Sequence, residues 1–262
     1  MDRRNLLKVA GGTLLAGASG AYALRILTTT SASSSAEGSP SVGKKWGMVI
    51  DLTKCRSDCT DCVEACRKEN NVALHGDPTL DVHWIRKVKI RKKPDHEAGG
   101  GAATGGHAPA EEKSVIILCN HCDKPPCAQV CPVQATYKRH DGIVIVDHHR
   151  CIGCRYCMIA CPYNARQFNF QDGKWLEGRE ERPKRSHGVA ESCTLCAHRL
   201  DVIGPDGKHG VPACVEHCQA GALTVGDLND PHSEISQLLA EHSVRRLKED
   251  LGTEPKVHYI GL

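Results

Sequence analysis

Aromatic side chains make up only 4% of the 262 residues. A core assembled by side-chain burial alone needs more large apolar mass than that, so something besides carbon must cross-link the interior. Charge of one sign is missing too: Lys and Arg number 34 against 31 Asp and Glu, a net +3 with His neutral. No basic stripe interleaved with aromatics occurs, which argues against nucleic acid as a partner. No C-x2-C is followed by His, so there is no attachment site for covalent c-type haem. No nucleophile–base motif and no flavin or molybdenum motif is visible, so catalysis by this chain alone is not expected. The long apolar run is confined to the N terminus, Val9–Leu27.

What the chain has instead is cysteine, 16 in all. They fall into four groups of four with none left over: Cys55, Cys59, Cys62 and Cys66; Cys119, Cys122, Cys127 and Cys131; Cys151, Cys154, Cys157 and Cys161; Cys193, Cys196, Cys214 and Cys218. The third group, CIGCRYCMIACP from Cys151 to Pro162, has the spacing C-x2-C-x2-C-x3-C-P of a bacterial-type ferredoxin ligand run. Three closely spaced thiolates on one loop reach one cluster, while the fourth points away and ligates a neighbour. Zinc sites use two separated C-x2-C pairs, and the fourth group taken alone fits one. The third does not, because it crowds three thiolates onto one loop. Disulfides would need C-x2-C bridges repeated throughout a chain much longer than a small toxin. The reading is four 4Fe–4S clusters. By the crossing rule, Cys119, Cys122 and Cys127 share one with Cys161, and Cys151, Cys154 and Cys157 share one with Cys131. By the same pseudo-twofold logic, Cys55, Cys59 and Cys62 take Cys218, and Cys193, Cys196 and Cys214 take Cys66.

An internal repeat supports this. Trp46–Asp51 and Ile143–Asp147 each read as a strand ending in an Asp four residues before a cysteine run. Ala135, Ala165 and Ala222 each follow the last cysteine of a group by four residues, where a small side chain lets backbone pack close to a cluster. The expected fold class is α+β: two tandem ferredoxin-like units of the bacterial 2x4Fe-4S type around four clusters, with few and short secondary-structure elements. Residues 1–40 read as an export signal or anchor and a Ser-rich linker, 41–230 as the four-cluster domain with a flexible Gly- and charge-rich insertion at 92–113, and 231–262 as a C-terminal helix and tail. Val82–Arg91 reads as a strand or hairpin arm, and Ala222–Val225 as a short strand. Asp230-Pro231 is expected to open a helix, with Asp as N-cap and Pro at the first position. Ile235, Leu238 and Leu239 give that helix its apolar face. Val257–Ile260 is expected at a sheet edge or on a partner.

The order of the groups, with Pro125-Pro126 inside the second and the long gap from Cys196 to Cys214 in the fourth, resembles the four-cluster electron-transfer subunits of the dimethylsulfoxide reductase superfamily. These include the subunits that work beside polysulfide, tetrathionate and nitrite reductases. The resemblance covers Trp46 to Leu262, with one departure: Cys55-Arg-Ser-Asp-Cys59 is C-x3-C where the wider family usually has C-x2-C, a departure at Cys55 that also fits the subgroup described next. WGMVIDLTKC, the run from Tyr137 to Arg166 and the tail from Gly226 look like a subgroup, the periplasmic iron–sulfur subunit of the membrane redox complex associated with dissimilatory sulfite reduction. That resemblance implies a polytopic quinone-interacting membrane subunit of the polysulfide-reductase type and a multihaem cytochrome c as partners. Asp2-Arg3-Arg4-Asn5-Leu6-Leu7-Lys8 resembles a twin-arginine export motif, implying the periplasmic face of the cytoplasmic membrane. If uncleaved, Val9–Leu27 is about long enough to anchor the chain.

The expected function is therefore electron transfer through the clusters, in a respiratory complex linked to sulfur metabolism. The alternative is the same role beside a molybdopterin reductase or a nitrite reductase. Arg150, Arg155, Arg166 and Arg199 lie near ligands. Each reads either as a cation raising a cluster potential or as an ordinary surface charge or salt bridge. His121, His148 and His149 flank ligands but find four sites already filled by 16 cysteines.

Overall fold

The central strand, β1 (Trp46–Asp51), is buried at all six positions, as suits a strand covered on both faces. Its period-two alternation divides two cores. Trp46, Met48 and Ile50 point into the large core that also contains most of the buried cysteines. Val49 points the other way, onto Ile235 and Ile260. The computed structural model describes residues 43–72, 74–91, 112–172, 176, 181 and 184–262. The N-terminal signal, anchor and linker and the part of the insertion at 92–111 lie outside the described residues, which belong to one compact unit, Pro40–Leu262.

After β1 come α1 (Asp61–Glu69), the hairpin strands β2 (Ile85–Arg91) and β3 (Glu112–Leu118), and α2 (Pro126–Gln129). Then follow β4 (Thr136–Lys138), β5 (Val144–Val146), α3 (Tyr156–Ala160), β6 (Gln167–Phe168), β7 (Ala190–Glu191), α4 (Ala197–Leu200) and α5 (Ala213–Glu216). The chain closes with β8 (Leu223–Asp227), α6 (Glu234–Glu241), β9 (Val244–Arg245), a 3-10 turn at Glu249–Leu251 and β10 (Val257–Ile260). The elements are few and short, in a mixed α/β arrangement, as the sequence led one to expect. The main sheet has the order β8-β1-β10-β9, and β2-β3, β4-β5 and β6-β7 are separate antiparallel pairs.

Three expectations need correction. Val257–Ile260 is not at an edge: β10 runs parallel to β1 (Met48 opposite Val257) and carries β9 on its other side. Helix α6 starts three residues later than Asp230-Pro231 suggests. Ser233 is its cap, its Oγ accepting the N–H of Ser236 at 3.3 Å, while Asp230 Oδ1 accepts the N–H of His232 at 2.9 Å in a preceding turn. The strand expected from Ala222 to Val225 runs from Leu223 to Asp227. The hairpin arm expected over Val82–Arg91 begins at Ile85: β2 pairs along β3 from Ile85 opposite Leu118 to Arg91 opposite Glu112. The apolar face of α6 is as read: Ile235 is fully buried, with Leu238 and Leu239 packed beside it. That close approach depends on Gly226, where a Cβ would lie 2.7 Å from Ile235 Cγ2. Among the described residues no helix is long and apolar enough to cross a membrane.

Candidate metal centre

The repeat has a structural meaning. Asp51 Oδ1 accepts the N–H of Thr53 at 2.9 Å, and Asp147 Oδ1 accepts the N–H of His149 at 2.9 Å. Each Asp therefore ends its strand in a side-chain turn that launches a cysteine loop. In the opening C-x2-C of the second, third and fourth groups, the residue before the second cysteine is left-handed: His121 (φ 43), Gly153 (φ 70) and Leu195 (φ 53). This conformation turns backbone N–H groups inward, as an anion nest does, and Leu195 N donates to Cys193 Sγ at 3.3 Å. In the first group the extra residue removes that demand, and none of Arg56, Ser57 and Asp58 has positive φ.

The exits also repeat. Gln134, Asn164 and Gly221 are left-handed, with φ of 52, 49 and 58. The next residues, Ala135, Ala165 and Ala222, are buried, and Ala222 N donates to Cys218 Sγ at 3.3 Å. After the first group the equivalent position is Asn70. Its Nδ2 lies 3.7 Å from Cys66 Sγ and 3.9 Å from Cys196 Sγ. Sequence reading missed Asn70, although the break in the alanine repeat marks it.

The thiols gather into four sets. Burial first, then Cys55 and Cys218, with Cys59, push the Cys62 thiol up to about 11. Burial holds Cys66 well above the usual thiol value, with Cys214 and Cys196 as its thiol neighbours. Cys122 is pushed up to about 12 by burial, with Cys119, Cys127 and Cys161 around it. Cys157 is raised by burial, and its thiol neighbours are Cys151, Cys154 and Cys131. At Cys131 burial is outweighed by the N–H groups of Thr136, Val133, Ala135 and Gln134, which lower it. The sets stand in a row: Cys62 bears on Cys214, Cys119 on Cys193, and one guanidinium, Arg166, on both Cys127 and Cys157. The two inner sets are entirely buried, whereas each outer set is partly accessible, through Cys55, Cys59 and Cys218 at one end and Cys131, Cys151 and the exposed Cys154 at the other.

Whether these sets suit a metal cluster can be tested on the donors. Buried thiols pushed to high pKa become ligands only when a bound cation takes up their charge. Among the described residues, no three His, Cys, Asp or Glu side chains converge on a single ion. The thiols instead surround a small space: Cys119, Cys122, Cys127 and Cys161, with Asn120 and Arg166, line a cavity of about 20 Å3. Buried N–H groups there lack partners, at Asn120 Nδ2 and Arg166 Nη1. An all-sulfur cage with spare donors fits a polynuclear iron–sulfur group, which takes four thiolates and accepts hydrogen bonds at sulfur, better than a mononuclear zinc.

The flanking residues divide. His121 is buried, its Nδ1 accepts the N–H of Val144 at 3.0 Å, and burial lowers it to about 3. His148 is lowered to about 4 by burial and then by Arg185. Arg199 pairs with Glu69 (2.8 Å) and Glu216 (2.6 Å). Arg155 lies over the rings of Phe168 and Phe170, at 5.3 and 5.8 Å, and Arg150 is exposed.

Residues 114–228 match the 4Fe-4S dicluster domain family. The chain is 41% identical to the Hdr-like menaquinol oxidoreductase iron-sulfur subunit 1 of Archaeoglobus fulgidus, over 100% of this chain and 98% of that one. It is 38% identical to a tetrathionate reductase subunit of Salmonella typhimurium, over 86% of this chain and 75% of that one. It is likewise 38% identical to the menaquinone reductase iron-sulfur cluster-binding subunit of Nitratidesulfovibrio vulgaris, over 82% and 88%.

Proposed function

We propose a function from one premise: the chain belongs to the family of iron–sulfur electron-transfer subunits of oxidoreductase complexes, proteins that carry electrons and do not catalyse a reaction alone. The chain conducts single electrons between a quinone-interacting membrane subunit and a second redox protein. The observation that carries this reading is the row of four thiol sets, buried within and partly accessible at both ends. A conductor needs that arrangement, because inner sites must be shielded and end sites must be reachable.

Each set would hold one 4Fe–4S cluster, which when bound supplies reversible one-electron chemistry. The ligands are Cys55, Cys59, Cys62 and Cys218; Cys193, Cys196, Cys214 and Cys66; Cys119, Cys122, Cys127 and Cys161; and Cys151, Cys154, Cys157 and Cys131. The polypeptide fixes the thiolates, excludes water from the inner sites and donates hydrogen bonds to sulfur from Asn70, Leu195 and Ala222. The exposed Ile152, Tyr156 and Ile159 beside Cys154 give that end an apolar rim suited to a protein partner.

The relatives from A. fulgidus and N. vulgaris, named for menaquinol and menaquinone, support a quinone-linked partner. The subgroup resemblance supports a multihaem cytochrome c as the other partner, in a complex linked to sulfur metabolism. The twin-arginine motif supports export to the periplasmic face. The tetrathionate reductase relative favours a second reading, in which the electrons go to a molybdopterin subunit. The test is to isolate the native complex in mild detergent, identify the accompanying chains and stain for haem. A polytopic membrane subunit with a covalent-haem cytochrome supports the first reading. A large molybdopterin subunit without haem sinks it in favour of the second, and a chain without iron and acid-labile sulfide defeats both.

A further inference from the structure

Arg166 is the side chain whose surroundings differ most from its chemistry. It is 3% exposed, and its Nη2 donates to Cys127 Sγ at 3.3 Å. The charged or chargeable groups that bear on it are the thiols of Cys127, Cys119 and Cys157 and the buried imidazole of His121. Its Nη1 is buried without a hydrogen-bond partner, and no carboxylate among the described residues pairs with it. Other arginines of this unit are answered in the usual ways: Arg199 by Glu69 and Glu216, Arg139 by Asp141 and Asp201, Arg185 by Glu191, and Arg155 by two phenyl rings. Burying a guanidinium without an anion is strongly unfavourable, and Arg cannot shed its proton to escape the cost. The required anion must therefore come from the sulfur side.

We infer that Arg166 is the shared counter-cation of two adjacent cluster sites, Cys119/Cys122/Cys127/Cys161 and Cys151/Cys154/Cys157/Cys131, and that it holds the reduction potentials of both above the values they would have without it. The inference rests on the iron–sulfur reading of the thiol sets. Four thiolates give each loaded site a negative charge, and reduction adds one more electron with no proton required. A fixed cation stabilises the reduced state more than the oxidised one, so it shifts both couples upward. The low-dielectric surroundings that make the charge costly also make its field strong. Because Arg166 bonds Cys127 and its charge also bears on Cys157, it moves an inner and an outer couple in the same direction. Arg166 is a positioning and tuning residue; it is not a ligand.

The test uses the full chain in its complex, with Arg166→Gln and Arg166→Lys. Iron and sulfide per chain are counted, and the cluster couples are followed by EPR during redox titration with dithionite. In R166Q, two couples should fall by at least a factor of ten in their reduction equilibrium, which is 59 mV for one electron, while the other two stay in place. R166K should recover most of that loss. Four unmoved couples in fully loaded R166Q overturn the inference. If R166Q fails to load two sites, R166K decides: full loading shows that the sites need the charge, whereas equal loss shows that they need the guanidinium shape and refutes the counter-cation role. A wild-type chain without iron defeats the functional reading itself, a result distinct from unmoved couples.

Discussion

Lys256 and Asp123 are partners of unequal burial, and removing either should expose the difference. Lys256 directly precedes β10, at the point where the C-terminal segment meets the second cysteine loop, its N–H donating to Asn120 O at 2.9 Å. Its side chain is 3% exposed, and its Nζ reaches Gly142 O at 2.6 Å and Asp123 Oδ1 at 3.2 Å. Asp123 is 20% exposed and also pairs with Lys45 at 2.5 Å. In Lys256→Met, Asp123 keeps Lys45, and the main loss is the bond to Gly142 O, about 1–2 kcal/mol. In Asp123→Asn, Lys256 loses the one carboxylate that pairs with it among the described residues, and a buried cation left alone costs about 3–5 kcal/mol. D123N should therefore be the worse variant by about 2 kcal/mol, up to roughly thirtyfold in the rate of thermal bleaching of visible cluster absorbance at fixed temperature. The pH dependence has a definite sign. Burial, the largest influence, holds Lys256 below its ordinary 10.5, so the folded state prefers the neutral amine. The penalty is full where the amine is protonated in both states and lifts as pH rises through the folded value toward 10.5. The D123N deficit should shrink as pH rises toward 10.5, after correction for wild-type drift. Equal bleaching rates for the two variants, or a deficit that grows with pH, would refute the reasoning.

Gly153→Ala should disrupt the third cysteine loop, because φ is +70 there and a Cβ would lie 2.4 Å from Gly188 O; iron analysis should show one site lost while the other three load. Ile235→Ala removes a fully buried side chain from between α6 and the sheet and should cost about 2–5 kcal/mol, read as faster bleaching with unchanged cluster couples. Asn70→Leu deletes the donor shared by Cys66 and Cys196. One couple should fall by roughly 40 mV, the equivalent of about 1 kcal/mol for one electron, and an EPR titration with all couples in place would count against that role.

The legible parts of this molecule are those in which a local spacing carries the physics. The cysteine runs, the Asp that ends each launching strand and the buried alanines are short-range patterns, and each has a local consequence in the structure. Helix α6 shows the limit of such patterns. Asp-Pro suits a cap and a turn equally, and only the Ser233 bond to Ser236 separates them. The placement of β10 was not legible at all, because four residues of strand character do not name their neighbours; pairing with β1 is settled across the whole chain. The two-residue β9 carries too little pattern to be seen. Arg150, Arg155, Arg166 and Arg199 look alike beside their cysteines in sequence. They differ in burial and in partner, which depend on loops distant in the chain.

The interior position of β10 couples the main sheet to the second cysteine loop. β1 emerges early in synthesis but meets its parallel neighbour only when Val257–Ile260 has been made. The second cysteine loop likewise waits for its backbone bonds from Asp123 and Lys124 to Glu254 and Thr253. Removal of Val257–Ile260 with the segment before it should therefore leave β1 without its parallel neighbour and the second cysteine loop without these two bonds, so that one deletion loosens the sheet and a thiol set together.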